Sequence, residues 1–291
     1  MPEIPEEKNP APISFEVSTA HFETAEDSRG SSLEYPSDIT SLKLFAPLWV
    51  SNGNGYEFEC YEIEDEVVSK NDDMTWSTGT PYYWPEKNKA LSFFAYAPID
   101  IDGWETVSLP HTNPDQMRFF YTPPGDAKNQ HDIVFAYSNQ MLNYAGSPDK
   151  SVHLAFSHIL ANIKFTINGD ATTVYSISLQ QLYGESGFNP NGYYWDYRNR
   201  DNTGDASRTS YTVLVPENGK LGDDQTLIII PQQTTPADAS IVVQLRDGTI
   251  LKNGFAYKSL MMGAINTINI NLPAKESSAQ LTSQLTIAST R

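Results

Sequence analysis

Two adjacent pairs of carboxylates have the residue type that glycosidases use as acid and base. They are Asp72 with Asp73 and Asp223 with Asp224. Glycoside cleavage needs one carboxyl group whose pKa lies well above that of its partner. Both pairs stand in polar turn sequences that hold nothing to separate the two pKa values. We therefore interpret them as solvated loop residues.

Metal-binding chemistry is suggested only by the segment from Asp100 to Gly103, which begins like a calcium loop. It lacks the later ligands and the closing glutamate of such loops, so we interpret it as a polar turn. His158 has no partner ligand in view, and we predict a hydrogen-bonded residue in or beside the core. We expect no metal and no cofactor.

Nucleophilic chemistry would have to come from Cys60, the only cysteine. Residues 58–61 alternate like a strand, and none of the five histidines stands out as its base, so we predict a structural cysteine of the buried kind. The chain also lacks GxSxG, HExxH, Walker and strand-associated GxGxxG motifs. We therefore predict that the protein is not an enzyme.

A dense aromatic run lies in the turn-rich segment 189–207. It comprises Tyr193, Tyr194, Trp195 and Tyr197. Tyrosine and tryptophan provide rigid amphipathic surface for protein partners and for the faces of sugar rings. Two interpretations stay open: a ligand or partner loop, and an aromatic plug that closes one end of a folded unit.

The elements that must position these residues are short strands. Apolar residues recur with period two in most of the chain, for example at 42–46, 91–96, 163–167 and 265–272, and Asn-Gly, Asp-Gly and Pro-Gly turn formers separate them. Helical periodicity is missing. The pattern predicts an all-β protein of sandwich type. The length predicts two domains, residues 1–147 and 148–291, with the boundary in the polar stretch 143–150.

The charge balance restricts the partners. There are 19 Lys and Arg against 36 Asp and Glu, a net charge of −17. This excludes an ordinary nucleic-acid surface, which needs clustered basic residues. No apolar run reaches the length of a membrane-spanning helix. The Pro- and Glu-rich residues 1–12 resemble a linker, and they do not reveal the compartment.

Five segments, in order, resemble the Bacteroidales-type fimbrillins, which are Mfa-like subunits of type V pili. The first two segments are WSTGTPYYWP at 76–85 and LSFFAYAP at 91–98. They are followed by DIVFA at 132–136, LAFSHILANI at 154–163 and LIIIPQ at 227–232. The resemblance implies two tandem transthyretin-like β-sandwich domains. It also implies export as a lipoprotein precursor to the outer membrane and cell surface, where other fimbrial subunits would be its partners.

The resemblance further implies an N-terminal strand that is removed by proteolysis after an arginine. The vacated groove then accepts a strand from a neighbouring subunit. In this chain Ile13, Phe15 and Val17 are the candidate removable strand within residues 1–29, and Arg29 is the candidate processing site. The tail at 273–291 is the candidate donor strand, because Leu281, Leu285 and Ile287 stand at odd positions and would lie on the same face of a strand.

Two functions follow as hypotheses. The first is a structural subunit of fimbriae, in the stalk, at the tip or accessory, that assembles by strand exchange and supports adhesion. The alternative is a surface lipoprotein that binds a glycan or host protein through the aromatic loop without polymerising.

Overall fold

The computed structural model describes residues 11–19, 39–86, 88–106, 117–142, 151–198, 204–273 and 282–289. Strands dominate these ranges, and the predicted all-β class is confirmed. Within the same ranges, 3-10 helices span Ala127–Asn129, Ala171–Thr173 and Asp223–Gln225. None of the helices in these ranges is long and apolar enough to span a membrane.

The strands before residue 160 are β1 (Phe15–Thr19), β2 (Ser41–Ser51), β3 (Tyr56–Lys70), β4 (Trp76–Thr78), β5 (Lys89–Ala97), β6 (Trp104–Thr106), β7 (Phe119–Tyr121), β8 (Val134–Leu142) and β9 (Val152–His158). Those after it are β10 (Ala161–Asn168), β11 (Val174–Tyr183), β12 (Ser186–Asn189), β13 (Tyr194–Asp196), β14 (Arg208–Leu214), β15 (Leu227–Ile229), β16 (Ser240–Leu245), β17 (Ile250–Gly254), β18 (Ala264–Asn271) and β19 (Thr282–Ser289).

The first sheet closes on itself in the order β1-β4-β3-β2-β5-β8-β9. Its strands pair antiparallel except β1 and β9, which run parallel and close the sheet. Because side chains alternate across a strand, one face of each strand fills the interior. Phe93, Trp84 and Phe156 lie in that core and are at most 4% exposed.

Two four-stranded sheets form a sandwich in the second half of the chain. Their orders are β15-β10-β18-β19 and β14-β11-β16-β17. Ile163 and Ile268 from one sheet share a core with Leu179 and Ile241 from the other. The alternation that predicted these strands is therefore explained by one buried and one solvated face per sheet.

A small sheet, β13-β12-β7-β6, joins strands from both halves of the chain. Its aromatic core includes Phe45 and Phe119 from the first half and Phe188 and Trp195 from the second. The predicted boundary at 147 and 148 stays a prediction, as does the division into two transthyretin-like domains. Strand β9 follows that position in the chain but belongs to the closed first sheet.

The fold shows where three of the residues considered for chemistry lie. The turn at Gly103 is present, and the glycine is needed there, because its φ is +77° and a Cβ would lie 2.3 Å from the Thr122 carbonyl oxygen. His158 lies in the core with Nδ1 2.7 Å from the Asp132 carboxylate, which confirms the predicted hydrogen-bonded role. The expected burial of Cys60 was wrong, since this residue of β3 is exposed.

Candidate functional site

The N-terminal strand occupies the gap between two edges of the first sheet. On one side β1 runs parallel to β9, with Phe15 opposite Val152 and Thr19 opposite Phe156. On the other side it meets β4 at a single pair, Phe15 opposite Trp76. Strand β1 therefore closes the sheet, and its loss would leave the edge of β9 without a partner.

Backbone hydrogen bonds extend this contact ahead of β1. The Ile13 amide donates to the Tyr82 carbonyl at 2.8 Å, and the Trp84 amide donates to the Ala11 carbonyl at 3.1 Å. On the β9 side, the amide of Val152 donates to a carbonyl of the N-terminal segment at 2.7 Å. The segment 11–19 is thus held on both sides by main-chain bonds, which any extended chain can form.

The side chains of this segment alternate between the core and solvent. Phe15 is 6% exposed, and its ring meets Phe93 edge to face with a centroid distance of 6.2 Å. Ile13 and Val17 are partly buried against the same core. Residues 14, 16 and 18 face solvent, so only one face of the strand carries apolar contacts.

Polar contacts fix the outer face of β1 against β9. The Ser18 hydroxyl lies 3.1 Å from Nε2 of His153, and the Ser151 hydroxyl donates to the Glu16 carboxylate. These groups are exposed, so each contact contributes little to stability. The apolar face therefore dominates the docking of β1.

A Phe15→Ala change is expected to lower the free energy of unfolding by about 3–5 kcal/mol, because it removes a buried aromatic ring and leaves a cavity beside Phe93. Urea unfolding followed by circular dichroism measures the change. Ser14→Ala, on the solvent face of the same segment, serves as the matched control and should stay within about 0.5 kcal/mol of the unmodified chain. Equal effects of the two substitutions would show that Phe15 does not anchor the strand.

The C-terminal strand lies on the second half of its own chain. Strand β19 pairs antiparallel with β18 from Thr282, opposite Asn271, to Ser289, opposite Ala264. Leu285 stands opposite Ile268 and Ile287 opposite Asn266. Leu281 of the predicted donor set and Arg29, the predicted processing site, lie outside the described residues.

The aromatic run is divided between core and surface. Trp195 is 6% exposed, and its indole N–H donates to the Ile159 carbonyl at 2.7 Å. Tyr197 donates its hydroxyl to the Pro231 carbonyl at 2.6 Å. Tyr194, in contrast, is 46% exposed. Trp195 and Tyr197 are thus fixed by hydrogen bonds to the backbone, whereas Tyr194 faces solvent, and both interpretations of the run stay predictions.

A cavity of about 290 Å³ opens where this run faces two other segments. One wall is formed by Tyr193, Tyr194, Trp195 and Tyr197, and the other by Pro231, Gln233 and residues 259–262. The second wall comes from parts of the chain 34 to 69 positions away, so no local pattern indicated it. The same holds for Val152 and Trp76 at the edges beside β1.

The pair Asp72 and Asp73 is not suited to acid–base catalysis. Asp72 and Asp73 are exposed in a turn. Hydrogen bonds from the hydroxyl and the amide of Thr75 hold the pKa of Asp73 below its usual range, which is the opposite of what a general acid needs. Within the described ranges, no cluster of three or more His, Cys, Asp or Glu residues could hold a metal ion.

Cys60 has little of the character of a nucleophile. Although the residue is exposed, desolvation of its sulfur by the protein around it, together with the carboxylates of Glu59 and Glu62, raises the pKa of the thiol. The reactive thiolate is thereby disfavoured at neutral pH.

Comparisons with known proteins agree with this architecture. A family model described as fimbrillin-like matches residues 44–289. A fimbrial protein from Bacteroides vulgatus is similar in structure at 14% identity, with a TM-score of 0.59 and coverage of 97% of this chain and 100% of the other. A Bacteroides ovatus protein provisionally assigned to cell adhesion has 16% identity, a TM-score of 0.61, and coverage of 97% and 98%. No curated protein sequence matches the chain.

Proposed function

The chain belongs to the fimbrillin-like family, and from that premise we propose that it is a structural subunit of cell-surface fimbriae that assembles by exchanging strands and supports adhesion. Members of this family are structural or adhesion proteins, so the protein is not an enzyme. Its place in the fimbrium, whether stalk, tip or accessory, is left open by this proposal.

The position of β1 is the observation that carries the proposal. A strand at the N-terminal end of the chain closes the first sheet, while its apolar face contributes Phe15 to the core. Proteolysis after Arg29 would separate this strand from the body. Its departure would leave a preformed groove, flanked by the β9 edge and lined by Phe93 and Trp84. Such a groove lowers the ordering cost for an incoming strand.

The C-terminal tail is the proposed donor. Strand β19 is the last strand of its sheet and pairs only with β18 among the described strands. It would leave that position and enter the groove of the next subunit, with Leu281, Leu285 and Ile287 replacing the apolar face of residues 13, 15 and 17. Before exchange, the pairing along β18 would keep the tail on its own chain.

The proposed location follows from the same role. Fimbrial subunits work at the cell surface, and we propose export as a lipoprotein precursor that reaches the outer membrane. The partners are other fimbrial subunits, of the same or a related kind.

Arg29→Gln is expected to block processing. An arginine-specific protease should cut the folded chain after Arg29, because the surrounding sequence AEDSRG is polar and suited to protease access. Mass spectrometry should then find a fragment of residues 1–29, which stays bound through β1 until another strand replaces it. The variant should yield no such fragment and no assembly.

Arg198→Gln is the matched control, because this arginine is 60% exposed and lies far from β1 in the chain. It should be processed as the unmodified chain is. Assembly of the Arg29→Gln variant at the normal rate would contradict the assignment of Arg29.

A second candidate role is supported by the cavity beside the aromatic run. In this role the protein is a surface lipoprotein that binds a glycan or host protein without polymerising. Assembly depends on β1, whereas binding would depend on Tyr194. The two roles can therefore be tested separately.

A further inference from the structure

Hydrogen bonds fix the walls of the cavity beside the aromatic run, one between the two walls and two within the second wall. The backbone N–H of Gln233 donates to the Tyr197 hydroxyl at 3.1 Å. Gln232 and Leu260 exchange two backbone bonds of 2.9 and 2.8 Å, which tie the segment 231–233 to the segment 259–262. The site is thus formed before any ligand arrives, and little conformational entropy would be lost on binding.

No charged side chain is found among the described residues that line the two walls. Tyrosine, tryptophan, proline, leucine and methionine provide apolar surface, while Gln233 and Ser259 provide an amide and a hydroxyl. Burial raises the pKa of Tyr193 and of Tyr197 to about 12, so both phenols stay neutral at physiological pH. On a chain with a net charge of −17, such a site repels an anionic ligand.

Exposed apolar side chains concentrate around the opening. Tyr194 is 46% exposed, Met261 45% and the neighbouring Tyr257 73%. Tyr257 does not line the cavity but stands two residues before the wall segment 259–262, and its amide donates to the Thr235 carbonyl at 3.1 Å. Solvated aromatic and methionine side chains grouped in this way mark a binding surface more often than isolated ones do.

The backbone is strained at Tyr193, which lines the cavity, and at Tyr257. Tyr193 has φ of +51° and Tyr257 has φ of +58°, in the left-handed region that large side chains avoid. At Tyr193 the ring packs edge to face on Phe188 at 5.5 Å, while the next residue, Tyr194, is solvated. Strain of this kind persists where the surroundings hold it, and it is concentrated at ligand sites.

We propose that this cavity binds a neutral pyranose sugar unit, with one ring face on Tyr194 and Met261 and the hydroxyl edge toward Gln233 and Ser259. A pyranose has an apolar C–H face and a rim of uncharged hydroxyl groups, which matches the two kinds of lining. An apolar peptide side chain would instead cover the amide and hydroxyl without hydrogen-bonding them, which is unfavourable.

The volume of the cavity is suited to a small ligand. At about 290 Å³ the cavity lies at the lower end of ligand pockets, which span about 300–1,000 Å³. It accommodates a terminal sugar or a short stretch of a chain. This inference rests on the second candidate role, and it is independent of strand exchange.

The test uses the intact, uncleaved chain on an array that carries neutral and acidic oligosaccharides, both animal-type glycans and fragments of plant and yeast polysaccharides. Hits are titrated in solution with the intrinsic fluorescence of the protein, since Trp195 lines the cavity. Binding of neutral glycans is expected. Whether the bound glycans are of the animal type or come from plant and yeast polysaccharides identifies the source of the sugar.

Tyr194→Ala should weaken binding about five- to tenfold, the worth of one aromatic contact. Tyr194→Phe should bind nearly as well, because the ring face remains. Gln233→Ala should also weaken binding. The side chain of Gln233 is exposed, so the substitution should leave the fold intact. Tyr175→Ala is the matched control, because this tyrosine of β11 is 45% exposed and does not line the cavity.

Several results would overturn the proposal. They are the absence of neutral glycan binding by the intact chain, a preference for acidic glycans, and equal losses in the Tyr194→Ala and Tyr175→Ala variants. Binding of a protein or peptide that needs Tyr194, without any glycan binding, would overturn the sugar assignment while it leaves the second candidate role in place.

Discussion

A chain cut after Arg29 and freed of residues 1–29 is expected to form oligomers at concentrations at which the intact chain is a monomer. Loss of β1 opens the closed sheet and leaves the β9 edge unpaired. It also uncovers core side chains such as Phe93, which Phe15 now covers. An unpaired edge beside an apolar groove is a strong template for another strand.

Size-exclusion chromatography with light scattering measures the assembly, and electron microscopy shows whether the products are linear. The cut is made after folding, so that the groove is preformed. If the trimmed chain retains its circular dichroism spectrum and remains monomeric at high concentration, strand exchange at this groove is wrong.

An engineered disulfide between β1 and β9 provides a reversible control for this test. Glu16 and His153 are register partners on adjacent strands, and both side chains are exposed. Neighbouring strands are about 4.8 Å apart, within the range that a disulfide can bridge. The variant Glu16→Cys with His153→Cys, in a Cys60→Ser background, should hold β1 in place after cleavage. Assembly should begin only when a reducing agent is added.

The second large effect is expected when an acceptor-only chain is mixed with a donor-only chain. The acceptor lacks residues 1–29 after cleavage and also lacks residues 279–291. The donor is the intact chain, in which β1 fills the groove and the tail is present. Neither can polymerise alone, so the mixture should give a one-to-one complex instead of longer products.

Formation of this complex should be slow. The donor tail must first leave β18, with which it pairs at eight positions from Ala264 to Asn271. Each backbone hydrogen bond contributes about 1 kcal/mol net, so the tail is released rarely. Moderate warming or low urea should speed the exchange, and native mass spectrometry follows the complex over time.

The alternation of side chains along the donor strand provides a matched control. Side chains at 285 and 286 lie on opposite faces of a strand. Leu285→Asp should prevent complex formation because it would bury a charge in the groove, whereas Thr286→Asp should be tolerated. A complex that forms equally well with an acceptor that keeps β1, or with the Leu285→Asp donor, would contradict this mechanism.

Local patterns were sufficient for some features and misleading for others. Alternation at residues 13, 15 and 17 predicted a one-sided strand, and the structure has Phe15 in the core. The same pattern around Cys60 indicated a strand but not its outward face. The pairing of β3 with β2 shifts register between Phe58 and Cys60 and again between Tyr61 and Ile63, which breaks the simple alternation around Cys60. Such an inserted residue leaves no reliable mark in a single sequence.

The all-β class, the two amphipathic ends of the chain and the aromatic run at Tyr193–Tyr197 could be predicted from the residues alone, because the two-residue period and turn chemistry are local properties. The closure of the first sheet by β1 beside β9, about 135 residues later in the chain, became visible only in the folded chain. The same is true of the pairing of the tail with β18 and of the cavity at Tyr194, whose other wall is distant in sequence. Strand partners and cavity walls depend on long-range hydrogen bonding and packing, which alternation does not encode.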